Sequence, residues 1–379
     1  MSVAGRAEVG IVGAGIVGLA LAVAFSERGL RVVVFDREER PVGASIRNFG
    51  LVWPMGLQRG PRWQRALRSR ARWLELGKKA GFHVAENGSL HLAETELELQ
   101  VLREFLELQA PPDFQGELLN HRDLALRSPA ARADRLAGGL WSPHELTVDG
   151  REALPAIWRW LAAERGVTVL PDAAVSRVAM PAVHTAKGVW EVDRLFVCTG
   201  AELRLLYPEV FRAAGVTNCK LQMWRTAPQA AGWRLGPSLC GGLTLLHYPA
   251  FSACPSLSAL RTGFERTHAE YIEHGIHVLV SQNSVGEVVL GDTHHYGLTH
   301  DPFLHERLDQ LVRDYLATFA QVPVITPSER WFGVYAKLAG ATEIIAQPEP
   351  GVTVVNALGG NGMTLSFGLA DEIAGGTLD

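Results

Sequence analysis

The sequence predicts an α/β chain in which a parallel-sheet domain is interrupted by a second, strand-rich α+β domain. Three observations predict it. Largely apolar runs at residues 8–12 and 31–36, which read as buried strands, flank a segment, 16–28, that is patterned as a helix apolar nearly all round. The end of the chain repeats that order, with an apolar run at 352–358, a glycine-rich turn and a helix from about residue 363 to Gly375-Gly376. Between them, residues 220–297 hold short β-patterned runs at 221–226, 243–248, 276–282 and 287–291, separated by Pro, Gly and Ser.

The remaining elements follow in order. Gly29 suits the C-terminal cap of the first helix, and residues 61–80 form an amphipathic helix whose Arg62, Arg65, Arg68 and Arg72 are expected on solvated faces. Asn87-Gly88 predicts a hairpin within 83–93, and 94–109 reads as a helix broken by Pro111-Pro112. An α/β pattern returns with a helix at 154–165, strands at 167–170 and 174–178, a hairpin through Lys187-Gly188 and a buried strand at 194–199. A helix at 302–319 precedes the terminal unit. The resulting partition is residues 1–80, 138–215 and 325–379 for the first domain, with 81–137 and 216–324 for the second.

Composition excludes several classes of function. The net charge of −4 and 20% charged residues offer no basic surface for nucleic acid and no charged tail. Cys198, Cys219, Cys240 and Cys254 lack zinc-ligand or disulfide-framework spacing, which points to a reducing, cytoplasmic setting and no metal. The uncharged run 9–25 has the length of a signal-peptide core, but three glycines at fixed spacing and the strand that follows assign it to a nucleotide turn, and no run spans a membrane.

That turn is Gly13-Ala-Gly15-Ile16-Val17-Gly18, followed 18 residues later by Asp36 at the end of the next strand. The glycines permit a tight turn, close approach of backbone to a pyrophosphate and close helix packing, while the acid accepts a ribose hydroxyl. Asp36 disfavours a 2′-phosphate and leaves FAD or NAD. The second glycine-rich helix start, Gly359-Gly360-Asn361-Gly362-Met363-Thr364, favours FAD, because its N–H groups suit the edge of an isoalloxazine where negative charge accumulates.

On these residues, with Gly43-Ala-Ser45, Gly50, Gly139-Leu-Trp-Ser-Pro143, Val148-Asp149, Ala174-Val175, Cys198-Thr-Gly200 and Trp331-Phe-Gly333, the chain resembles the FAD-dependent D-amino acid oxidase, glycine oxidase and sarcosine oxidase superfamily. The resemblance implies an FAD-binding Rossmann-like (GR2-type) domain with an inserted strand-rich α+β substrate domain, and oxidation of a C–N bond by hydride transfer to flavin N5. It implies FAD, covalently or noncovalently held, contacted by Gly13, Gly15, Ile16, Val17, Gly18, Asp36, Arg37, Ser45, Asn48, Gly50, Leu51, Val175, Gly200, Gly360, Gly362, Met363 and Thr364. No catalytic residue beyond the flavin is expected.

One departure from the superfamily bears on substrate. Where glycine oxidase-like members carry an arginine that forks onto a carboxylate, this chain has Tyr335. The segments 43–54 and 331–337 resemble a subgroup associated with aminophosphonate breakdown, implying a small anionic amine such as 2-aminoethylphosphonate or an N-methylated derivative as substrate and O₂ as acceptor. A phosphonate calls for clustered donors, and the substrate-binding candidates are Arg47, Asn48, Tyr248, His294, Tyr335 and Lys337, with His247 and His295 beside them. Adjacent His294 and His295 point to opposite faces if they continue a strand. The rival readings are a glycine, sarcosine or D-amino acid oxidase, a quinone-linked dehydrogenase, and an RNA-linked flavoprotein.

Overall fold

The computed structural model describes residues 3–377. Its first sheet has eight strands; the path runs Ile344–Glu349, Val352–Asn356, Gly188–Val197, Val3–Val12, Val32–Phe35, Thr168–Leu170, and the hairpin of Val175–Ala179 and Ala182–Thr185 hangs from Gly188–Val197. The central strands are parallel. They are apolar at consecutive positions because both faces are covered. Val9, Ile11, Val32 and Val34 join the core beneath the helices Ile16–Glu27, Gly150–Glu164 and Gly362–Gly375, whereas Val12, Val33, Phe35 and Leu195 join the core on the opposite face. The all-round apolarity of Ile16–Glu27 has the same origin: it is sandwiched between the sheet and the Gly362–Gly375 helix, and ten of its twelve residues are buried.

The second sheet has nine strands in the path His295–Gly297, Thr217–Thr226, Val288–Gly291, Leu279–Gln282, Ser238–Cys240, Ser89–Ala93, Gly138–Ser142, Glu117–Leu119, with Pro327–Lys337 paired along Thr217–Thr226. Two segments of the expected partition move. Residues 138–142 pair antiparallel with Ser89–Ala93, and 327–337 runs the length of Thr217–Thr226, so both belong to the second sheet. Two local expectations also fail. Gly88 makes the sharp bend that Asn87-Gly88 predicts, at φ +65, but Ser89–Ala93 then pairs with Gly138–Ser142 and Ser238–Cys240 rather than folding back locally. Residues 244–247 form a helical turn instead of a strand, pinned by the Thr244 hydroxyl on the Gly241 carbonyl and by the Tyr315 hydroxyl, which accepts from Leu243 N at 2.8 Å. No helix among the described residues is long and apolar enough to cross a membrane.

The arginines of Pro61–Ala80 divide: Arg62 and Arg68 are exposed as expected, whereas Arg65 and Arg72 are half-buried in ion pairs. Arg65 bridges Glu343 and Glu372, each at 2.6 Å, and Arg72 meets Glu27, Glu75 and Asp371, clamping this helix to the first and last helices. Close packing makes the clamp short: a Cβ on Gly368 would lie 2.4 Å from the Arg65 carbonyl oxygen. The Arg65 side chain is 13% exposed, so truncation would leave Glu343 without its arginine and Glu372 with Arg68 alone in a poorly solvated groove. Arg65→Ala is expected to cost about 2–3 kcal/mol in chemical denaturation, against less than about 0.5 kcal/mol for the exposed Lys78→Ala on the same helix.

Glu145 is fully buried where the two sheets meet, accepting from Met55 N at 3.0 Å and from Ser89 Oγ at 2.8 Å. Burial raises its carboxyl to about 7. A carboxyl raised on folding stabilises the fold below its unfolded value and loses that stabilisation as pH rises through the folded one. Glu145→Gln keeps the shape, still accepts from Met55 N and donates its amide N–H to Ser89 Oγ, so the variant should outlast the native protein above about pH 8, by roughly 3 kcal/mol, with the difference vanishing below about pH 4.

Candidate active site

The first turn is built from contacts that no side chain would permit. Gly13 has φ +103, and a Cβ there would lie 2.4 Å from the Cys198 carbonyl oxygen; a Cβ on Gly18 would lie 1.9 Å from the Gly13 oxygen. The helix Ile16–Glu27 therefore starts against the strand ends with Gly15 as an N-cap that has no side chain of its own. Ser45 supplies the missing cap, accepting from Ile16 N at 3.0 Å, and Asp36 accepts from Ala14 N at 2.6 Å and Glu38 N at 2.9 Å.

The loop 43–54 is tied back on itself. Asn48 Oδ1 accepts from Gly50 N at 2.7 Å, and its Nδ2 donates to the Ala44 carbonyl at 2.9 Å, so its amide shapes the loop. Gly50, at φ +70, leaves no room for a Cβ beside the Val148 carbonyl oxygen, 2.3 Å away. Trp53 N donates to Thr364 Oγ1 at 2.9 Å, joining this loop to the last helix.

A single cavity of about 1370 Å³ runs from these turns into the second sheet. It is lined by Gly13, Gly15, Ile16, Val17, Asp36, Arg37, Ser45, Asn48, Leu51, Val175 and Gly200 from the first glycine turn outward, and by Gly360, Gly362, Met363 and Thr364 from the last. Gly18 and Gly50 act from behind the wall, through the close packing above. The cavity exceeds the roughly 300–1,000 Å³ of a drug-sized site, as a dinucleotide with a substrate space beyond it requires. Two helix N-termini, a carboxylate at the far end of the first turn and bare glycine backbone between them fit FAD.

At the other end stand Arg47, Tyr248, His294, Tyr335 and Lys337, joined by His247, His277 and Asp292. Arg47 Nη1 reaches the Phe332 carbonyl at 3.4 Å, and its own carbonyl accepts from Trp331 Nε1 at 3.3 Å. Tyr335 projects toward the last glycine turn, its hydroxyl 3.8 Å from where a Gly360 Cβ would be, and burial pushes its ionisation well up. Lys337 Nζ donates to Tyr296 Oη at 3.2 Å. His294 faces the cavity with burial lowering its ring to about 4, while His295 turns away and meets His274 at 3.2 Å. His277 and Asp292 escaped the sequence reading. The signal was present: predicted strands 276–282 and 287–291 joined by a short turn place His277 opposite the Asp292–His294 segment, as the Leu279–Gly291 register does.

The family model DAO, described as FAD dependent oxidoreductase, matches residues 8–375. The chain belongs to this family. Its fold is that of known flavoproteins: an L-proline dehydrogenase from P. horikoshii superposes with TM-score 0.76 at 19% identity, over 97% of this chain and 92% of that one. Glycine oxidase from Geobacillus kaustophilus gives TM-score 0.73 at 18% identity, over 99% and 96%. L-α-glycerophosphate oxidase from Mycoplasma pneumoniae, with FAD bound, gives 0.74 at 15% identity, over 97% and 93%. No curated protein sequence matches the chain significantly.

The DAO chain is thus an FAD-dependent oxidoreductase, and Gly13 is a position of its cofactor cradle that admits no side chain, both by its φ and by the Cys198 carbonyl. Gly13→Ala should reduce FAD affinity by tenfold or more, about 1.4 kcal/mol, read as bound flavin per polypeptide after gel filtration. Unchanged flavin content would show that the turn does not carry the pyrophosphate.

Proposed function

We propose that this oxidoreductase oxidises the C–N bond of a small anionic amine, 2-aminoethylphosphonate or its N-methylated derivative, to an imine that water hydrolyses to an aldehyde and an amine. The carrying observation is Tyr335: a half-buried neutral phenol stands beside the last glycine turn, where glycine oxidase-like relatives use a guanidinium fork for carboxylate. The cations of this end, the Arg47 guanidinium and the Lys337 ammonium, are two separate groups, which suits an anion with three oxygens better than a planar carboxylate. Proline dehydrogenase and glycine oxidase, among the similar structures, are named for amine substrates, and glycerophosphate oxidase for a phosphorylated one. FAD, when bound, supplies the hydride acceptor, and O₂ then takes the electrons to give hydrogen peroxide.

The chain's own part is to bind and orient. Arg47 and Lys337 draw the anion to one side, Tyr335 keeps its proton and donates a hydrogen bond, and the apolar walls from Leu51, Leu221 and Leu279 exclude water from the reacting carbon. The four free, buried cysteines fit a reducing, cytoplasmic setting.

Anaerobic flavin reduction compares the candidates directly. The two aminophosphonates should reduce the flavin at least tenfold faster than glycine, sarcosine or D-alanine, and fastest reduction by glycine or D-alanine would overturn the assignment. Tyr335→Arg should move the preference toward carboxylates by tenfold or more. Peroxide formed under air identifies O₂ as acceptor; its absence identifies a dehydrogenase.

A further inference from the structure

One group at the substrate end has no task in this scheme. Asp292 and His277 are each only 4% exposed, both line the cavity, and Asp292 Oδ1 and both ring nitrogens of His277 are without a partner among the described residues. His277 Nε2 lies 3.5 Å from Asp292 Oδ1, and His294 Nε2 lies 3.8 Å from Oδ2, too far for hydrogen bonds. His294 has a fixed tautomer: its Nδ1 is 2.9 Å from the Gly275 carbonyl, which only accepts, so Nδ1 carries the hydrogen and Nε2 presents a lone pair. The Asp292 carboxyl and the His294 lone pair thus face one another across a buried gap, beside a neutral His277 ring whose one N–H has no partner among the described residues.

We propose that Asp292, backed by His277 and His294, receives the amine end of the substrate and takes its proton. The inference rests on the amine-oxidising reading above. A hydride leaves a carbon beside a neutral nitrogen, yet an alkylamine with a pKa of about 10 reaches the site as an ammonium. An N–H bond of that ammonium breaks, an O–H bond forms on Asp292, and two opposite charges vanish from a buried site; no other reactant is needed. Burial raises the proton affinity of Asp292, the direction that favours the transfer.

The surrounding groups leave the role to this cluster. Tyr248, Cys219 and Tyr335 are held protonated by burial, and burial, with His277, His294 and Lys337 beside it, holds His247 uncharged. A metal ion is the other cation to consider, since nitrogens of His247, His277 and His294 lie within 4.8 Å of one another. The rings are stacked, however: His247 on His277 with centroids 3.8 Å apart and planes at 28°, and His277 on His294 at 4.9 Å and 26°. Lone pairs in the planes of stacked rings run side by side and do not converge on one ion, which needs nitrogens at about 2.0–2.1 Å. An ammonium, with separate N–H donors, needs no such convergence.

The test is stopped-flow flavin reduction of the anaerobic holoenzyme, with the fastest amine of the panel above, from about pH 6 to 10. In the native protein the limiting rate should level off well below the pKa of the free amine. In Asp292→Asn it should fall about 100-fold at neutral pH and then climb roughly tenfold per pH unit. Binding of the deaminated analogue, ethylphosphonate for an aminophosphonate, followed through flavin absorbance, should be unchanged. Identical pH profiles, a loss by one constant factor at every pH, or equal weakening of the deaminated analogue would overturn the role. So would stoichiometric metal that His294→Gln releases. If Asp292→Asn does not fold, the native profile decides: a rate that keeps rising to the amine's own pKa rules the acceptor out. If no amine reduces the native flavin, the proposed function itself fails and this inference with it.

Discussion

The site exists because the first and last helices of the chain begin side by side at one edge of the first sheet. A Cβ on Gly362, at the start of the last helix, would lie 3.4 Å from Cγ2 of Ile16, the first residue of the first, and the two helices then pack along their length. Their N-terminal ends bring two sets of partly positive N–H groups to a common cavity, one at the phosphate end and one where a flavin ring would lie. The arrangement is held from behind by the helix Pro61–Ala80, whose Arg65 and Arg72 grip acids on both. Truncating the clamp would loosen the cradle without touching any group that faces a ligand.

The second sheet is attached to this platform by one long strand. Pro327–Lys337 pairs with Thr217–Thr226 for most of its length and then, at Lys337, bridges to Leu358 just before the last glycine turn. Tyr335 and Lys337 are thereby fixed relative to both the cofactor cradle and the strands that carry the histidines. Gly333 takes part in the same junction, since a Cβ there would lie 2.9 Å from the Arg47 carbonyl oxygen. The cavity-lining residues Tyr335 and Lys337 are consequently carried by a strand whose position is determined by backbone contacts on both sides.

The cofactor half was legible in the sequence because its signals are local. Gly13 to Gly18, Asp36 and Gly359 to Thr364 each sit within one turn of the element they start or end, so spacing along the chain is spacing in the site. The second sheet was not legible in the same way. Ser89–Ala93 finds its partners at residues 138–142 and 238–240, and nothing near Asn87-Gly88 could reveal that a distant strand would outcompete a local hairpin. Arg65 and Arg72 were read as solvated, like the exposed Arg62 and Arg68, because their acids, at 27, 343, 371 and 372, are far away in sequence. His277 and Asp292 fall between: the strands that carry them were recognisable, but only pairing them in register places the two residues together.

Buried polar groups without partners weaken a fold by about 1–3 kcal/mol each, so their distribution carries information. His91 is one such group, its ring nitrogens unpaired among Trp53 and Phe251, and it does not line the cavity. The structure gives it no role beyond packing. His277 and Asp292 differ because their unpaired atoms face the cavity, next to His294, whose ring is oriented by a backbone carbonyl. The same cavity carries Arg47 and Lys337, so donors and cations are present together with an acceptor cluster that has no use for either within the fold. A ligand bearing both an anion and an amine satisfies the two sets at once, whereas a simple anion would leave the acceptors stranded and a simple amine would leave the cations unpaired. That dual demand is a stronger constraint on the substrate than either set of residues alone, because each set excludes what the other would accept.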